Sequence, residues 1–327
     1  MPRAREIYNK IIRRRRFFTI IALLSLIPLV ALDLCTGGTP CWALRGETGK
    51  LILYDIRLPV ALAAILAGAS LALAGSLAQT ILNNPLASPY TLGISAGAAF
   101  GAALAYVFNW SVFGVASNAF LFATLTASAV FMLSKVKGLS PEAMVLAGIA
   151  MNYLFHSLLA FAEFVATEEA LQAVVFWTFG SLYKATWFKL SVLTLTLIPS
   201  SIVALLLSWK LSALRAGEEV AEEVTDPGML RIISFVILTL VTAVTVCFFG
   251  IIAFVGLVAP HVARILVGED QRFALVTSMA TGASLLLAAD VASKNIIPGA
   301  IIPIGIVTSF VGVPFFVALL IKGWEGA

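Results

Sequence analysis

The sequence predicts an all-α membrane protein that crosses the bilayer about ten times. Of its 327 residues, 61% are hydrophobic and only 12% are charged, whereas soluble domains are about 45–50% apolar and about 25% charged. The apolar residues form long runs, and a spanning helix needs about 20 of them in succession. Because only short gaps separate the runs, we expect a single transmembrane domain over residues 1–327.

Ten segments are apolar over a length that can span a membrane. They are 17–34, 57–79, 92–108, 118–134, 141–164, 190–209, 229–249, 251–267, 274–292 and 303–321. The first follows the basic run Arg13–Arg16, as in a signal peptide, but without a small-x-small cleavage site, so we predict an uncleaved first helix. Residues 170–183 are apolar but short and contain Gly180, which predicts a broken or interfacial piece.

Two uncharged segments that contain proline interrupt the helical pattern. Residues 83–89 (NNPLASP) separate the second and third spans, and Pro298, Gly299 and Pro303 separate the ninth and tenth. Irregular backbone at membrane depth is tolerated only where it is buried in protein or lines a cavity. Each break is therefore either a tight turn or part of a pore lining.

The distribution of basic residues predicts the orientation in the membrane. Most of the 21 Lys and Arg residues lie in the N-terminal segment or in loops that share its side. Because basic residues accumulate in cytoplasmic loops, we expect a cell-membrane protein, surrounded by lipid, with both termini in the cytoplasm. The formal net charge of +4 reflects these loops and does not indicate a nucleic-acid partner.

Small residues indicate where helices approach one another closely. Gly93, Gly97 and Gly101 recur every four residues and form a small-residue stripe on one helix face. The sequence GASLALA from Gly68 is echoed as GASLLLA from Gly282. These two helices run in opposite directions in the predicted topology, as in the inverted repeats of transporters, although small-residue segments also recur by chance.

The three cysteines allow one disulfide. Cys35 and Cys41 flank the segment TGGTP after the first span, and glycine tolerates turns of either hand. An oxidising exterior favours a bond between them, and the alternative is two free, partly buried thiols. Cys247 lies in a later span, and the sequence has no Cys/His pattern with metal-ligand spacing. We therefore expect neither a metal nor a cofactor.

The sequence contains no motif for catalysis. The nearest match to the phosphate-binding pattern G-x-x-x-x-G-K-[ST] ends at residues 48–51 (TGKL), with Leu44 in place of the first glycine. Neither G-x-S-x-G nor H-E-x-x-H is present. Within the spans Asp290 is nearly alone as a carboxylate, whereas a proton-driven carrier needs several. We do not expect an enzyme, and a proton relay is disfavoured.

Residues 211–226 (LSALRAGEEVAEEVTD) are a charged island in an otherwise apolar chain. The island also carries a partial apolar face, formed by Leu211, Leu214, Val220 and Val224. One interpretation is a solvated linker. The other is a short amphipathic helix that docks into the groove of a partner, and the apolar face favours it.

Several motifs, in the same order, resemble the permease subunits of ATP-binding-cassette (ABC) importers for iron chelates, haem and vitamin B12. The resemblance covers about residues 50–322. It rests on Arg57–Pro59, Gly68–Leu73, Gln79, Asn84–Ala87, Leu92–Gly97, Phe176-Trp177, Gly180–Leu182, Gly217–Ala221, Phe254–His261, Ala289-Asp290, Pro303–Gly305 and Gly312–Phe316. Where the family often has R-L-P-R, Val60 follows Pro59 here, so a second docking arginine is missing.

The resemblance implies a vitamin B12 importer-like fold, that of type II ABC importer permeases, working as a homodimer with its pore at the dimer interface. It implies two cytoplasmic ATPase subunits and an extracellular solute-binding protein as partners. A loop at about 210–228 would couple to the ATPase. The residues that match the family's roles are Leu214, Gly217, Glu218, Glu219 and Glu222 for ATPase coupling, Asn84, Pro85 and Leu86 for the translocation gate, and Arg57 and Lys294 for docking of the binding protein.

The alternatives are of different classes. An ion- or proton-coupled secondary transporter would work without an ATPase, and an intramembrane enzyme acting on lipids would need clustered polar residues. For Arg57 and Lys294 the alternative role is to reach lipid head groups. The sequence does not indicate whether the cargo is an iron siderophore, haem, cobalamin or an oxyanion.

Overall fold

The structure, a computed structural model, describes residues 2–39, 41, 45–111, 113–297 and 299–324. The α-helices in these ranges are α1 (Pro2–Leu24), α2 (Leu26–Cys35), α3 (Gly46–Leu51), α4 (Leu58–Ile81), α5 (Ile94–Val107), α6 (Val115–Lys135), α7 (Pro141–Phe164), α8 (Glu168–Thr178), α9 (Trp187–Leu206), α10 (Ser208–Ala216), α11 (Glu218–Glu222), α12 (Pro227–Phe249), α13 (Val255–Val267), α14 (Gln271–Asn295) and α15 (Ile304–Trp324). A π-helical segment, Ile52–Arg57, joins α3 to α4, and a 3-10 turn, Leu182–Lys184, precedes α9.

Each of the ten predicted spans corresponds to a helix or a pair of helices. Seven helical stretches of the described chain are long and apolar enough to cross a membrane, and Ile94–Val107, Val255–Val267 and Ile304–Ala318 are shorter apolar helices. The helix around residues 170–178 is followed by Gly180 at a φ of 72°, so the predicted broken piece is confirmed. The chain is an all-helical, polytopic membrane fold.

Helix α4 forms the centre of the bundle. Its most apolar stretch is 83% buried, against 22% for α7, so the rest of the chain surrounds α4 and leaves most of α7 uncovered. Alanine and glycine dominate α4, which lets neighbouring backbones come close. Gly68 lies directly against the backbone of Gly282 on α14, and Gly75 lies against the backbone of Gly256 on α13. The two echoed segments therefore pack against each other in antiparallel helices.

A second group of helices, α5 to α7, packs through the predicted small-residue stripe. A Cβ atom on Gly97 would lie 2.8 Å from the Phe122 carbonyl oxygen of α6. On Gly101 it would lie 2.5 Å from the Asn118 carbonyl oxygen. Both distances are shorter than van der Waals contact, so the stripe is confirmed at Gly97 and Gly101, where α5 meets α6. Gly93 does not belong to it: this residue precedes α5 with a φ of 75°, and a Cβ there would lie 3.0 Å from the Asn152 backbone nitrogen of α7.

Helices α1 and α2 form an N-terminal arm that runs along α14. The apolar stretch of this arm is only 11% buried, so the rest of the chain leaves most of its surface uncovered. Polar contacts along its length include Arg15 with Asp270 at 2.8 Å, Thr19 with Thr277 at 2.9 Å, and Ser25 with Ser284 at 3.1 Å. We refer to the side of the bundle where α1 begins as the N-terminal face, and to the other side as the opposite face.

The predicted breaks in the helical pattern are confirmed at residues 82–93 and 299–303, which are not helical. Pro298 lies outside the described residues. The predicted disulfide between Cys35 and Cys41 is present, with Cα atoms 4.5 Å apart. Cys247 is a free, buried thiol.

Candidate functional site

The charged island folds into two short helices on the N-terminal face. Helix α10 ends at Ala216, Gly217 turns the chain with a φ of 145°, and α11 follows at once. Glycine is favoured at such a φ. Asp226 then accepts hydrogen bonds from the backbone amides of Gly228 and Met229, which fixes the start of α12. The island is therefore ordered helix and not an extended linker.

The island's apolar face is only partly inward. Leu211, Leu214 and Ala221 are buried against the bundle, whereas Val220 and Val224 are about half exposed. The acidic side chains Glu219, Glu222 and Glu223 are exposed as well. Exposed acids beside exposed valines form a surface that a second protein can cover.

Glu218 differs from the other acids because it has a partner within the chain. Its two carboxylate oxygens accept hydrogen bonds from both terminal nitrogens of Arg231, at 2.8 and 3.2 Å. The Arg231 side chain is only 7% exposed. These bonds hold the pKa of Glu218 below its ordinary value. This pair ties α11 to the first turn of α12.

The predicted gate residues lie in the loop that follows α4. The Asn84 side-chain oxygen accepts a hydrogen bond from the backbone amide of Leu86 at 2.9 Å. The backbone amide of Asn84 donates to the Gln79 carbonyl oxygen at 3.1 Å. Pro85 and Leu86 are exposed at the tip. The loop is thus held at its base, while an uncharged apolar tip remains uncovered.

Arg215 brings the island and this loop together, a contact that the sequence analysis missed. It lies on α10 and reaches the Gln79 carbonyl oxygen at 2.9 Å and the Asn83 side-chain oxygen at 3.4 Å. It also bonds Glu269 in the turn between α13 and α14, at 3.1 Å. In the sequence Arg215 contributed only to the count of basic residues, and no local signal predicts these long-range partners.

The two predicted docking residues lie at the opposite face, and both are buried. Arg57 is 7% exposed, and its guanidinium donates to the carbonyl oxygens of Leu34 and Thr39. The Lys294 side chain is 4% exposed. In this structure both cations are bonded within the chain.

Lys294 is held between two carboxylates. Its ammonium lies 2.8 Å from Asp33 Oδ1 and 2.6 Å from Asp290 Oδ2, although the second approach does not have hydrogen-bond geometry. Asp33 is fully buried and Asp290 is 1% exposed. The expectation that Asp290 is nearly alone is therefore wrong, because Asp33 ends the first span. The rule that marks ionisable residues inside spans as candidates applies to Asp33 as well.

This arrangement offers binding surfaces and no catalytic centre within the described residues. No group of three or more His, Cys, Asp or Glu side chains there is placed to hold a metal ion. A cavity of about 500 Å³ opens at the opposite face beside Asp290, Trp177 and Tyr183. We call residues 82–93, between α4 and α5, the gate loop. On the N-terminal face a cavity of about 380 Å³ separates the start of this loop from the Glu218–Arg231 pair.

Comparison with known proteins gives matches along nearly the whole chain. Residues 19–322 match the model of the FecCD transport family. An ABC transporter permease protein of Methanocaldococcus jannaschii is 39% identical, with 99% of each chain covered. A vitamin B12 import system permease protein of Klebsiella pneumoniae is 34% identical, with 95% of each covered. A solved structure of a metal-chelate type ABC transporter in an inward-facing conformation superposes with a TM-score of 0.84 at 30% identity, covering 94% of this chain and 99% of that one.

Proposed function

This chain belongs to the FecCD transport family and is the non-catalytic permease subunit of a binding-protein-dependent ABC importer, and we propose that it forms the pore for a large metal chelate or corrin. We propose that the cargo is an iron siderophore, haem or cobalamin, as the names of several relatives indicate for those proteins. The observation that carries this proposal is the likeness of sequence and fold from end to end of the chain. Seven long and three shorter apolar helices supply the spans.

We propose that the permease works as a homodimer with two ATPase subunits on its N-terminal face and a solute-binding protein on the opposite face. This places both termini in the cytoplasm. Basic residues support that orientation, because Arg13, Arg14, Arg16 and Arg272 are exposed on the N-terminal face, and positive charge accumulates in the cytoplasm. Residues 1–327 then form a single domain.

The ATPase contact is proposed at α10 and α11, the loop at about 210–228. Gly217 sets the angle between the two helices, and Leu214 anchors them to the bundle. Glu219 and Glu222 face outward, ready for basic or polar groups of the partner. Glu218 is bound to Arg231, so we assign it the task of fixing the orientation of α11.

The sharpest test of this contact leaves Glu218 in place. We expect the double variant Glu219→Lys with Glu222→Lys to abolish ATP-driven uptake in proteoliposomes that contain the complete importer, while the permease stays folded. Lys135→Glu with Lys137→Glu, on exposed positions of the same face, is the matched control. Normal ATP-driven uptake by the island variant would show that the island is only a solvated linker.

The translocation gate is proposed at Asn84, Pro85 and Leu86. An uncharged tip can close against its symmetry mate without burying a charge, which would be costly. We expect Leu86→Ala to raise the leak of cargo from proteoliposomes that lack ATPase subunits. If the loop is a simple turn, the variant changes thermal stability and leaves the leak unchanged.

Docking of the binding protein by Arg57 and Lys294 is the third proposed role, and burial sets a condition on it. An exposed ion pair contributes about 0–1 kcal/mol, whereas breaking a buried pair costs about 3–5 kcal/mol. A partner carboxylate must therefore replace Asp33 beside Lys294, because it cannot simply draw the lysine outward. Exposed Arg45 and Lys50 are the comparison on the same face. The rate at which the binding protein docks is measured for two double variants, Arg45→Gln with Lys50→Gln and Arg57→Gln with Lys294→Gln. If only the first pair slows docking, the docking role belongs to Arg45 and Lys50.

One experiment separates the importer from the other classes. The permease is purified from its native membrane and tested for an associated ATPase, and cargo uptake is then measured with and without ATP. A secondary transporter works without the ATPase under an ion gradient. An intramembrane enzyme converts a lipid and moves no chelate.

A further inference from the structure

Arg215 occupies the junction between the proposed ATPase contact and the proposed gate. It lies two residues before Gly217, where α10 ends and the chain turns into α11. Its side chain is only 13% exposed. A long basic side chain at this position could extend into solvent, but this one points back into the bundle and makes polar contacts with two parts of the chain.

The first contact is with the base of the gate loop. Arg215 Nη1 donates to the Gln79 carbonyl oxygen at 2.9 Å. The same oxygen accepts the Asn84 amide at 3.1 Å. Arg215 Nη1 also lies 3.4 Å from the side-chain oxygen of Asn83, whose φ is 43°. One arginine and the first residues of the gate loop therefore share a single acceptor at the end of α4.

The second contact ties Arg215 to the turn between α13 and α14. Arg215 Nε donates to Glu269 Oε2 at 3.1 Å, and Arg264 Nε lies 3.7 Å from the other oxygen of Glu269. Arg264 Nη2 is buried and has no hydrogen-bond partner within the described residues. Two buried arginines thus share one carboxylate, which leaves net positive charge where α4, α10 and α13 meet. Such a cluster is sensitive to small shifts of any one helix.

Elsewhere the island and the gate loop are separated by a gap. The cavity of about 380 Å³ lies between Leu82 and Asn83 on one side and Glu218 and Arg231 on the other. Helix α10 packs close to the end of α4, but this gap keeps Glu218 of α11 apart from Leu82 and Asn83. Among the described residues, the hydrogen bonds that reach from α10 and α11 to the end of α4 and its loop are those of Arg215.

We propose that Arg215 is the positioning residue that transmits movement of the ATPase-coupling helices to the translocation gate. When a partner displaces α11, the turn at Gly217 moves with it, and Arg215 carries that displacement to Gln79 and Asn83. The planar guanidinium suits this task because it holds two directions at once, the loop through Nη1 and Glu269 through Nε. This proposal rests on the functions proposed above for the island and the gate.

The test uses the complete importer in proteoliposomes and measures cargo transported per ATP hydrolysed. We expect Arg215→Gln to lower this ratio about tenfold, within the range of coupling between distant sites, while the ATPase subunits stay bound and active. Arg215→Lys keeps the positive charge but has a single nitrogen in place of the two that bond the loop and Glu269. Its ratio of cargo to ATP should therefore lie between those of Arg215→Gln and the unchanged protein. Lys210→Gln is the matched control, because Lys210 is on the same helix and forms no ion pair in the described structure.

A second readout follows the gate directly. A Leu86→Cys reporter gives a thiol at the loop tip, against a background in which Cys247 is buried and Cys35 is bonded to Cys41. With Arg215 intact, we expect the rate of maleimide labelling to change between nucleotide-free and ATP-trapped complexes. With Arg215→Gln that difference should disappear although ATP is still hydrolysed.

The outcomes separate this inference from the proposed function. If the Glu219→Lys and Glu222→Lys variant uncouples transport but Arg215→Gln transports normally, the ATPase contact stands and the role of Arg215 is overturned. Loss of ATPase binding in Arg215→Gln also overturns it, because the residue would then serve the contact itself. If the reporter shows no nucleotide-dependent change even with Arg215 intact, the gate assignment fails first.

Discussion

Replacing Lys294 by methionine removes the ammonium that lies between two buried carboxylates. Asp33 and Asp290 are 0% and 1% exposed, so the variant leaves negative charge without its counter-ion beside α2 and α14. Removing one partner of a buried ion pair costs about 3–5 kcal/mol. Asp290 lies beside a cavity toward which its carboxylate can turn once the ammonium is gone, which places the expected loss near the lower end, about 3 kcal/mol.

Thermal unfolding in detergent measures this loss, with the reactivity of the buried Cys247 thiol as the signal. Lys50→Met, at an exposed position on the same face, controls for the loss of one positive charge. Adding Asp33→Asn to Lys294→Met should recover part of the stability, since it removes one of the stranded charges. An unfolding temperature for Lys294→Met equal to that of Lys50→Met would refute this reasoning.

Three further predictions follow. Replacing Cys35 and Cys41 by serine should lower the free energy of unfolding by about 2 kcal/mol, because the bond reduces the entropy of the unfolded chain by the small amount expected for so short a loop between the two cysteines. In the unchanged protein neither thiol should be alkylated until a reductant is added. Gly75→Ala places a methyl group against the backbone of α13, so we expect little folded protein in an expression and gel-filtration assay, whereas Gly38→Ala, where a Cβ meets open space, should be tolerated. The bonds from Arg231 lower the pKa of Glu218 from its ordinary 4.5, so the pair stabilises the fold fully above that pH, and the contribution is lost as the pH falls through the lowered pKa. Glu218→Gln should therefore weaken the fall of the unfolding free energy at acid pH. An unchanged fall would contradict the stabilising role of the Glu218–Arg231 pair.

The membrane spans could be predicted from the sequence because length and apolarity determine them. Every predicted span has its helix, including the three short ones. The sequence does not separate a helix surrounded by protein from one that faces lipid, since both are apolar. The stretch that contains α4 and helix α7 are both apolar enough to span a membrane, yet 83% and 22% of their most apolar windows are buried.

The small residues indicated where helices touch one another. They indicated only in part which neighbouring helix each of them meets. The stripe at Gly93, Gly97 and Gly101 predicted close packing on one helix face. Gly97 and Gly101 do pack α5 on α6, whereas Gly93 precedes the helix and lies against α7. The echo at Gly68 and Gly282 was read as a repeat of transporter type or a chance recurrence, and it is a contact. A glycine indicates that a backbone can come near, whereas the identity of that backbone depends on the whole bundle.

The polar contacts were the least predictable part of the site. Arg215 and Glu269 are 54 residues apart, and Arg57 and Lys294 look like surface cations until the helices that bury them are assembled. The sequence did indicate the island, because its charge contrasts with the apolar chain on both sides. It could not indicate that Glu218 already has a partner, since Arg231 lies within the next apolar span.

The separation between Asp33 and Lys294 has a consequence for biosynthesis. The two residues are 261 positions apart, and ribosomes add about 5–20 residues per second, so Asp33 waits roughly 13 to 50 s for its partner. Asp33 lies in the last turn of α2, so its charge costs less than the about 2.5–3.5 kcal/mol of a carboxylate at the bilayer centre, but the remaining cost still favours keeping the end of the nascent arm near the head groups until α14 arrives. The first helix to enter the membrane is then among the last to reach its final place.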